Sequence, residues 1–171
     1  MNFKKIFPII LLALLTVGCT AKTEKNNRSK ISDSKGIVSL TSLTSDIIFT
    51  LKPDELVGIP GSSILRKNKA LDSITTISEG RTPPNLEKII SLNPKLVIGS
   101  KGFHDKTLDK LEELGIGVLS TKVNSWPSLI SLIEDISKLT NSNSQRVYEK
   151  LESCFVEASP KNKKVVVLVS T

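Results

Sequence analysis

Metal ligation and nucleophilic catalysis draw on a few side-chain types, and this chain holds few of them: one histidine, His104, and two cysteines, Cys19 and Cys154. A multi-histidine zinc site is therefore excluded, and two thiols so far apart do not supply the closely spaced ligands of a zinc knuckle. No Gly-Lys-Ser/Thr loop is present to cradle a phosphate. Gly115-Ile116-Gly117 precedes an apolar run where a dinucleotide loop would follow a strand and open a helix, so it reads as a helix cap. There is no Gly-x-Ser-x-Gly elbow. A Ser-His-Asp relay would have to use the adjacent His104 and Asp105, which cannot line up with a serine. Catalytic machinery and a resident cofactor are not expected.

Binding has a better case. In open α/β sheets, ligands sit beyond the carboxyl ends of the strands. Those ends are expected at Ser42, Gly61-Ser62-Ser63, Gly80-Arg81-Thr82, Lys101-Gly102-Phe103-His104 and Asn124-Ser125-Trp126. Five side chains from this rim are candidate cleft residues: Ser62, Arg81, Phe103, His104 and Trp126. Four of them have a plainer alternative. His104 reads first as a solvated loop residue, Trp126 before Pro127 as helix-start packing, and Phe103 as a shield over the sheet end. Arg81 is as readily a solvated charge as a partner for an anionic ligand.

The elements that would position this rim are legible. Pro83 to Ser100 contains a helix start, a helix, a forced stop and a strand. Asn85 is a good N-cap because its side-chain oxygen can take a first-turn N–H. Leu86, Ile89 and Ile90 share one helical face, and Glu87 suits the positive end of the helix dipole. Pro94 ends the helix and drives Asn93 from the α region. Leu96-Val97-Ile98 before Gly99 is then a strand buried on both faces.

The pattern repeats along the chain. A strand is expected over Gly36–Thr41, then a helix over Ser42–Leu51 capped by Ser42, with Leu43, Ile47 and Leu51 on its inner stripe. Glu55–Ile59 reads as a strand stopped by Pro60-Gly61, Ile64–Leu71 as a weak short helix, and Ile74–Ile77 as an edge strand. Asp105 is expected to cap a helix with Leu108, Leu111 and Leu114 inward and Gly115 at its end. A buried strand at Ile116–Thr121 follows, then a helix with Pro127 in its first position and a broad apolar face from Leu129 to Leu139. A further helix spans about Ser144 to Ser159, with Val147, Leu151, Cys154, Phe155 and Ala158 in register, so that Cys154 reads as a small core residue. Val165–Val169 is a last aliphatic strand. Such alternation predicts an α/β fold, an open, mainly parallel sheet with helices on both faces.

Residues 1–18 stand apart. Lys4 and Lys5 precede the apolar run Ile6–Val17, which is roughly a dozen residues against the ~20 needed to cross a bilayer, so it reads as a secretory signal. Leu15-Thr16-Val17-Gly18-Cys19 resembles a bacterial lipobox, with Thr16 where leucine is usual. The resemblance implies that Cys19 carries a lipid, palmitate included, and becomes the mature N-terminus; a buried or disulfide-bonded Cys19 is the alternative. Of the formal +7, Lys4 and Lys5 carry two charges and Thr20–Lys35 a net three, which leaves the body from Gly36 onward at +2. The basic balance thus belongs mostly to signal and tether. With no aromatic residues among basic ones, nucleic acid is not an expected partner.

At this point the residues carry a resemblance. Gly36–Leu51 with Leu56-Val57-Gly58, then Asn85–Val97, then Leu111–Val118, resemble the N-terminal lobe of the cobalamin and iron–siderophore periplasmic binding proteins, the substrate-capturing components of ABC importers. The resemblance implies residues 1–18 as signal peptide, 19–35 as lipid-anchored tether, 36–141 as the N-terminal lobe, 142–160 as an interlobe helix and 161–171 as the first strand of a C-terminal lobe that is otherwise missing. It implies a two-lobed cleft for a corrinoid, siderophore or haem ligand carrying cobalt or iron, and ABC permease and ATPase subunits as partners. The location implied is the periplasmic side of a bacterial cell membrane, through a lipid on Cys19. Glu87 falls where such a lobe meets the permease; otherwise it is a dipole-complementing helix residue. Two other readings stand beside this one: a chelatase-like α/β enzyme using His104, and an inactive truncated remnant.

Overall fold

The computed structural model describes residues 35–79 and 82–157. Cys19, Arg81, the side chain of Cys154 and the expected strand at Val165–Val169 lie outside the described residues.

Five strands form one sheet: β1 (Ile37–Ser39), β2 (Leu56–Gly61), β3 (Thr75–Glu79), β4 (Leu96–Ser100) and β5 (Val118–Thr121). Their order is β3-β2-β1-β4-β5, and every pairing is parallel. Helices α1 (Ser42–Leu51), α2 (Leu86–Ser91), α3 (Asp105–Glu113), α4 (Trp126–Leu139) and α5 (Gln145–Glu157) cover it. Parallel neighbours need crossovers, and the helices between strands supply most of them.

The strand period of two divides the core into halves. Ile37 and Ile98 join Ile47, Ile48, Ile133, Ile136 and Val147 on the face covered by α1, α4 and α5. Val38 and Val97 join Ile89, Leu108 and Leu111 on the face covered by α2 and α3. Because both faces are covered, Ile37, Val38, Val97 and Ile98 are all fully buried. The fold is the α/β sheet with helices on both faces that the sequence predicts.

Helix α5 belongs to this core at its first turns. Val147 is buried, Tyr148 donates to Glu134 of α4 at 2.5 Å, and Lys150 pairs with Asp46 of α1 at 2.7 Å. That contact holds the Glu134 carboxyl below the usual carboxylate range and pushes the Tyr148 phenol up.

Several local expectations shift. The α1 cap is Thr41, whose side chain accepts the Thr44 N–H at 3.2 Å, in place of Ser42. Ile47 and Leu51 face inward as expected, Leu43 is exposed, and Thr44, Ser45 and Ile48 are buried beside them. β2 runs through Pro60-Gly61, since an irregularity in the β2–β3 register between Ile59 and Pro60 accommodates the imide. Ile64–Leu71 forms two 3-10 turns, Leu65–Lys67 and Lys69–Leu71, in place of a helix.

Asp105 is the first residue of α3 and does not cap it; its carboxylate accepts the Gly102 N–H instead. Leu114, expected inward, is exposed just past the end of α3, and Gly115 turns the chain at φ 79°. β5 lies at the sheet edge and is only partly buried. Ser125 caps α4, so Pro127 takes the second helical position.

In Pro83–Ser100 the cap and the stop hold, while Ile90, expected on the apolar face, is exposed. Asn85 accepts the Lys88 N–H at 2.9 Å, α2 stops at Ser91, and Asn93 leaves the right-handed region with φ 46°.

Candidate functional site

The sheet order creates the site. From β1 the chain steps outward to β2 and β3, then returns through α2 to β4 on the other side of β1. The connections leaving β1 and β4 therefore diverge, and a crevice opens between them at the carboxyl ends of the strands. A groove of about 950 Å³ lies there. Its walls are Leu40-Thr41-Ser42 after β1, Pro60 to Ser63 at and beyond the end of β2, Ser78-Glu79 at the end of β3, and Ser100, Phe103 and His104 at and beyond the end of β4. Arg66, Thr82 and Pro84 complete it.

The groove brings together three of the expected cleft residues, Ser62, Phe103 and His104. Trp126, 53% exposed at the start of α4, is not among the residues lining it. Glu87 is exposed on the first turn of α2, three residues beyond the groove-lining Pro84, and so stands at the same edge of the sheet.

The floor is polar but satisfied. Ser39, Thr44 and Ser45 are buried beneath the β1–α1 turn. The Ser39 and Thr44 hydroxyls bond to each other, the Thr41 and Thr44 hydroxyls lie 2.7 Å apart, and Ser45 donates to the Thr41 carbonyl at 2.8 Å. Among the described residues, no buried side-chain nitrogen or oxygen lacks a partner. This network fixes the turn that forms one wall of the groove.

The rim was only partly foreseeable. Arg66 and Glu79 form a 2.8 Å ion pair, and a second cavity of about 410 Å³ beside β3 shares this pair and Pro60-Gly61-Ser62 with the main groove. Arg66 lies in a segment with weak periodicity, and no local signal placed it opposite Glu79. The pair is well exposed, so solvent screens it.

His104 departs most from expectation. It is 7% exposed, not solvated. Its Nδ1 accepts the Ser100 N–H at 3.0 Å, and its ring meets the Phe103 ring edge-on at 4.9 Å. Burial holds the imidazole below its ordinary pKa, with the Asp105 carboxylate pulling the other way. Phe103 is 80% exposed at the groove mouth. The site thus offers hydroxyls, one cation, one carboxylate and an outward aromatic. Among the described residues, no group of three or more His, Cys, Asp or Glu side chains is placed to hold a metal ion.

Residues 37–168 match the family described as periplasmic binding protein. This chain belongs to that family. A curated relative, the iron-uptake system-binding protein of Bacillus subtilis (strain 168), is 24% identical over 151 residues, covering 75% of this chain and 48% of that protein. The periplasmic vitamin B12 binding protein BtuF of Vibrio cholerae superposes with a TM-score of 0.55 at 25% identity, over 72% of this chain and 48% of that one. The periplasmic heme binding protein HutB of Vibrio cholerae gives a TM-score of 0.57 at 23% identity, over 75% and 51%, a likeness of fold. The chain spans about half the length of the relatives it matches. The parallel sheet described above resembles one lobe of the vitamin B12 and heme binding proteins.

Proposed function

We propose that this chain supplies the N-terminal lobe of a substrate-binding lipoprotein of an ABC importer for cobalamin, siderophore-bound iron or haem. The observation that carries the reading is the groove at the β1/β4 switch point in a lobe of the periplasmic binding protein family. The ligand lies across the carboxyl ends of the strands, against Ser62, Phe103 and His104, with Arg81 and Trp126 as further contacts from the rim. A second lobe closes the other side, with the α5 segment as the connection to it. Cobalt or iron travels as cargo within the ligand, not as a resident group. Cys19 carries the lipid that holds the protein on the periplasmic side of the membrane.

The test is a titration of the protein with haemin, cyanocobalamin and a ferric hydroxamate, followed by absorbance and by Trp126 fluorescence. Saturable binding of one of the three is expected. Binding of none would sink the reading.

Glu87 is the contact to the permease. It is exposed on the first turn of α2, where its charge also complements the helix dipole. Reversing it with Glu87→Arg is expected to leave ligand affinity unchanged. Uptake in cells carrying the permease should fall on the order of tenfold, because a misplaced interfacial charge costs more than a lost one. Equal uptake by both proteins would return Glu87 to a helix-stabilising role.

A further inference from the structure

We propose that the turn between β4 and α3 is a proton-operated clasp, in which His104 positions Phe103 at the groove mouth while neutral and releases it when protonated. The inference rests on the binding role of the groove and adds a means of letting ligand go.

The sheet itself requires the clasp. Along β4, the N–H groups alternate between neighbours: Val97 and Lys101 donate towards β5, to Gly117 and Thr121, each at 2.8 Å. Ser100 therefore donates towards β1. On that side the last ladder bond is Leu40 N–H to the Ile98 carbonyl at 2.8 Å, after which the chain turns away into α1. The Ser100 N–H points into the crevice that β1 has left, and His104 Nδ1 takes the place of the missing strand.

A second bond tightens the same turn. Gly102, at φ 83°, donates to both carboxylate oxygens of Asp105 at 2.9 Å. Between these two bonds Phe103 has little freedom, and its ring is braced edge-on by His104. His104 in turn packs on Gly99, where an added Cβ would lie 3.0 Å from its own.

Protonation breaks this arrangement for a geometric reason. An imidazolium has two donors and no acceptor, so no rotation of the ring can accept the Ser100 N–H. Two donors then face each other in a nearly buried site, so the Ser100–His104 side-chain bond is lost and the ring that braces Phe103 is displaced, while the Phe103 and His104 N–H groups still donate to the Ser100 carbonyl at 3.2 and 2.9 Å. The charged groups around His104 are Lys101 on its own turn, Asp105, Lys106 and Asp109 on α3, and Arg66 and Glu79 on the groove walls. Of these, Asp105 acts on its proton affinity, raising it, but burial outweighs that. Burial therefore favours the neutral imidazole and moves its protonation to lower pH than that of an exposed histidine. The sign for stability follows. With the folded pKa below the unfolded one, the contribution is fully present above about 6.5 and is lost as pH falls towards the folded value.

The experiment follows the amides of the 15N-labelled protein and the His104 ring from pH 8 to pH 4. The Ser100 amide should shift and lose exchange protection in step with the ring, and the Phe103 ring signals should move with it. A protected Ser100 amide through the whole His104 titration would overturn the proposal. His104→Asn places a non-titrating acceptor near the position of Nδ1 and should keep the Ser100 amide protected across the range. A pH response undiminished in that variant would also overturn it. With whichever of haemin, cyanocobalamin or ferric hydroxamate binds, wild-type affinity should fall on the order of tenfold across the His104 titration and stay level in His104→Asn. If none binds, the function proposed for the groove fails, and the amide and ring signals still decide the clasp. Ligand affinity independent of His104 would leave the turn structural and sink its role in release.

Discussion

Gly61→Ala is expected to detach the end of β3 from the sheet and to weaken ligand binding at the groove. A Cβ at this position would lie 2.2 Å from the Ser78 carbonyl oxygen and 3.2 Å from the Glu79 Cα. Both are backbone atoms of the neighbouring strand, so no side-chain rotation relieves the clash. Gly61 pairs with Glu79 in the β2–β3 ladder and lines the groove, so the same displacement moves Glu79 away from Arg66. Overpacking of this kind costs about 1–3 kcal/mol. Because β3 is an edge strand with one neighbour, the cost should appear as local opening before global unfolding. Hydrogen exchange across Thr75–Glu79 and a ligand titration check it. Native protection in β3 together with wild-type affinity would show that the edge strand yields freely and does not hold the wall.

The second large effect is expected in the core. Ile133 is fully buried on α4, among Ile37, Ile48, Ile98 and Ile136. Ile133→Ala removes three carbons from the layer that seats α1 and α4 on the sheet, and such truncations cost about 2–5 kcal/mol. Against a typical domain stability of about 5–15 kcal/mol, that is a large fraction. The urea midpoint should fall with little change in slope. Ile64→Ala is the contrast, since Ile64 is 69% exposed and its loss should stay within about 0.5 kcal/mol. Similar shifts for the two variants would contradict the layered core.

Where sequence reading succeeded, the chemistry was local. The Asn85 cap, the stop before Pro94 and the buried Leu96-Val97-Ile98 run involve residues a few positions apart, and all appear as read. Where it slipped, the folded turn selected among neighbouring hydroxyls, a helix stopped early, or a partner sat on another element. Thr41 displaced Ser42 as the α1 cap because the buried Thr44 and Ser39 hydroxyls draw that turn together. Leu114 was placed inward by helical spacing, but α3 ends before it, at Glu113. Arg66 was passed over because its partner Glu79 is on another strand.

His104 shows the division most clearly. Its type and its place after β4 are written in the sequence, and they marked it as a rim residue. Its burial and its bond to Ser100 are not written there, because they depend on β1 ending one residue before the ladder would have satisfied that N–H.

By itself the sequence determined the alternating α/β pattern, the parallel sheet and the family resemblance, since hydrophobic period, caps and breakers act over a few residues. Only the tertiary structure decided the strand order, the groove it opens between β1 and β4, and which rim residues share that groove. Those follow from where the chain crosses back over β1, which no local spacing records.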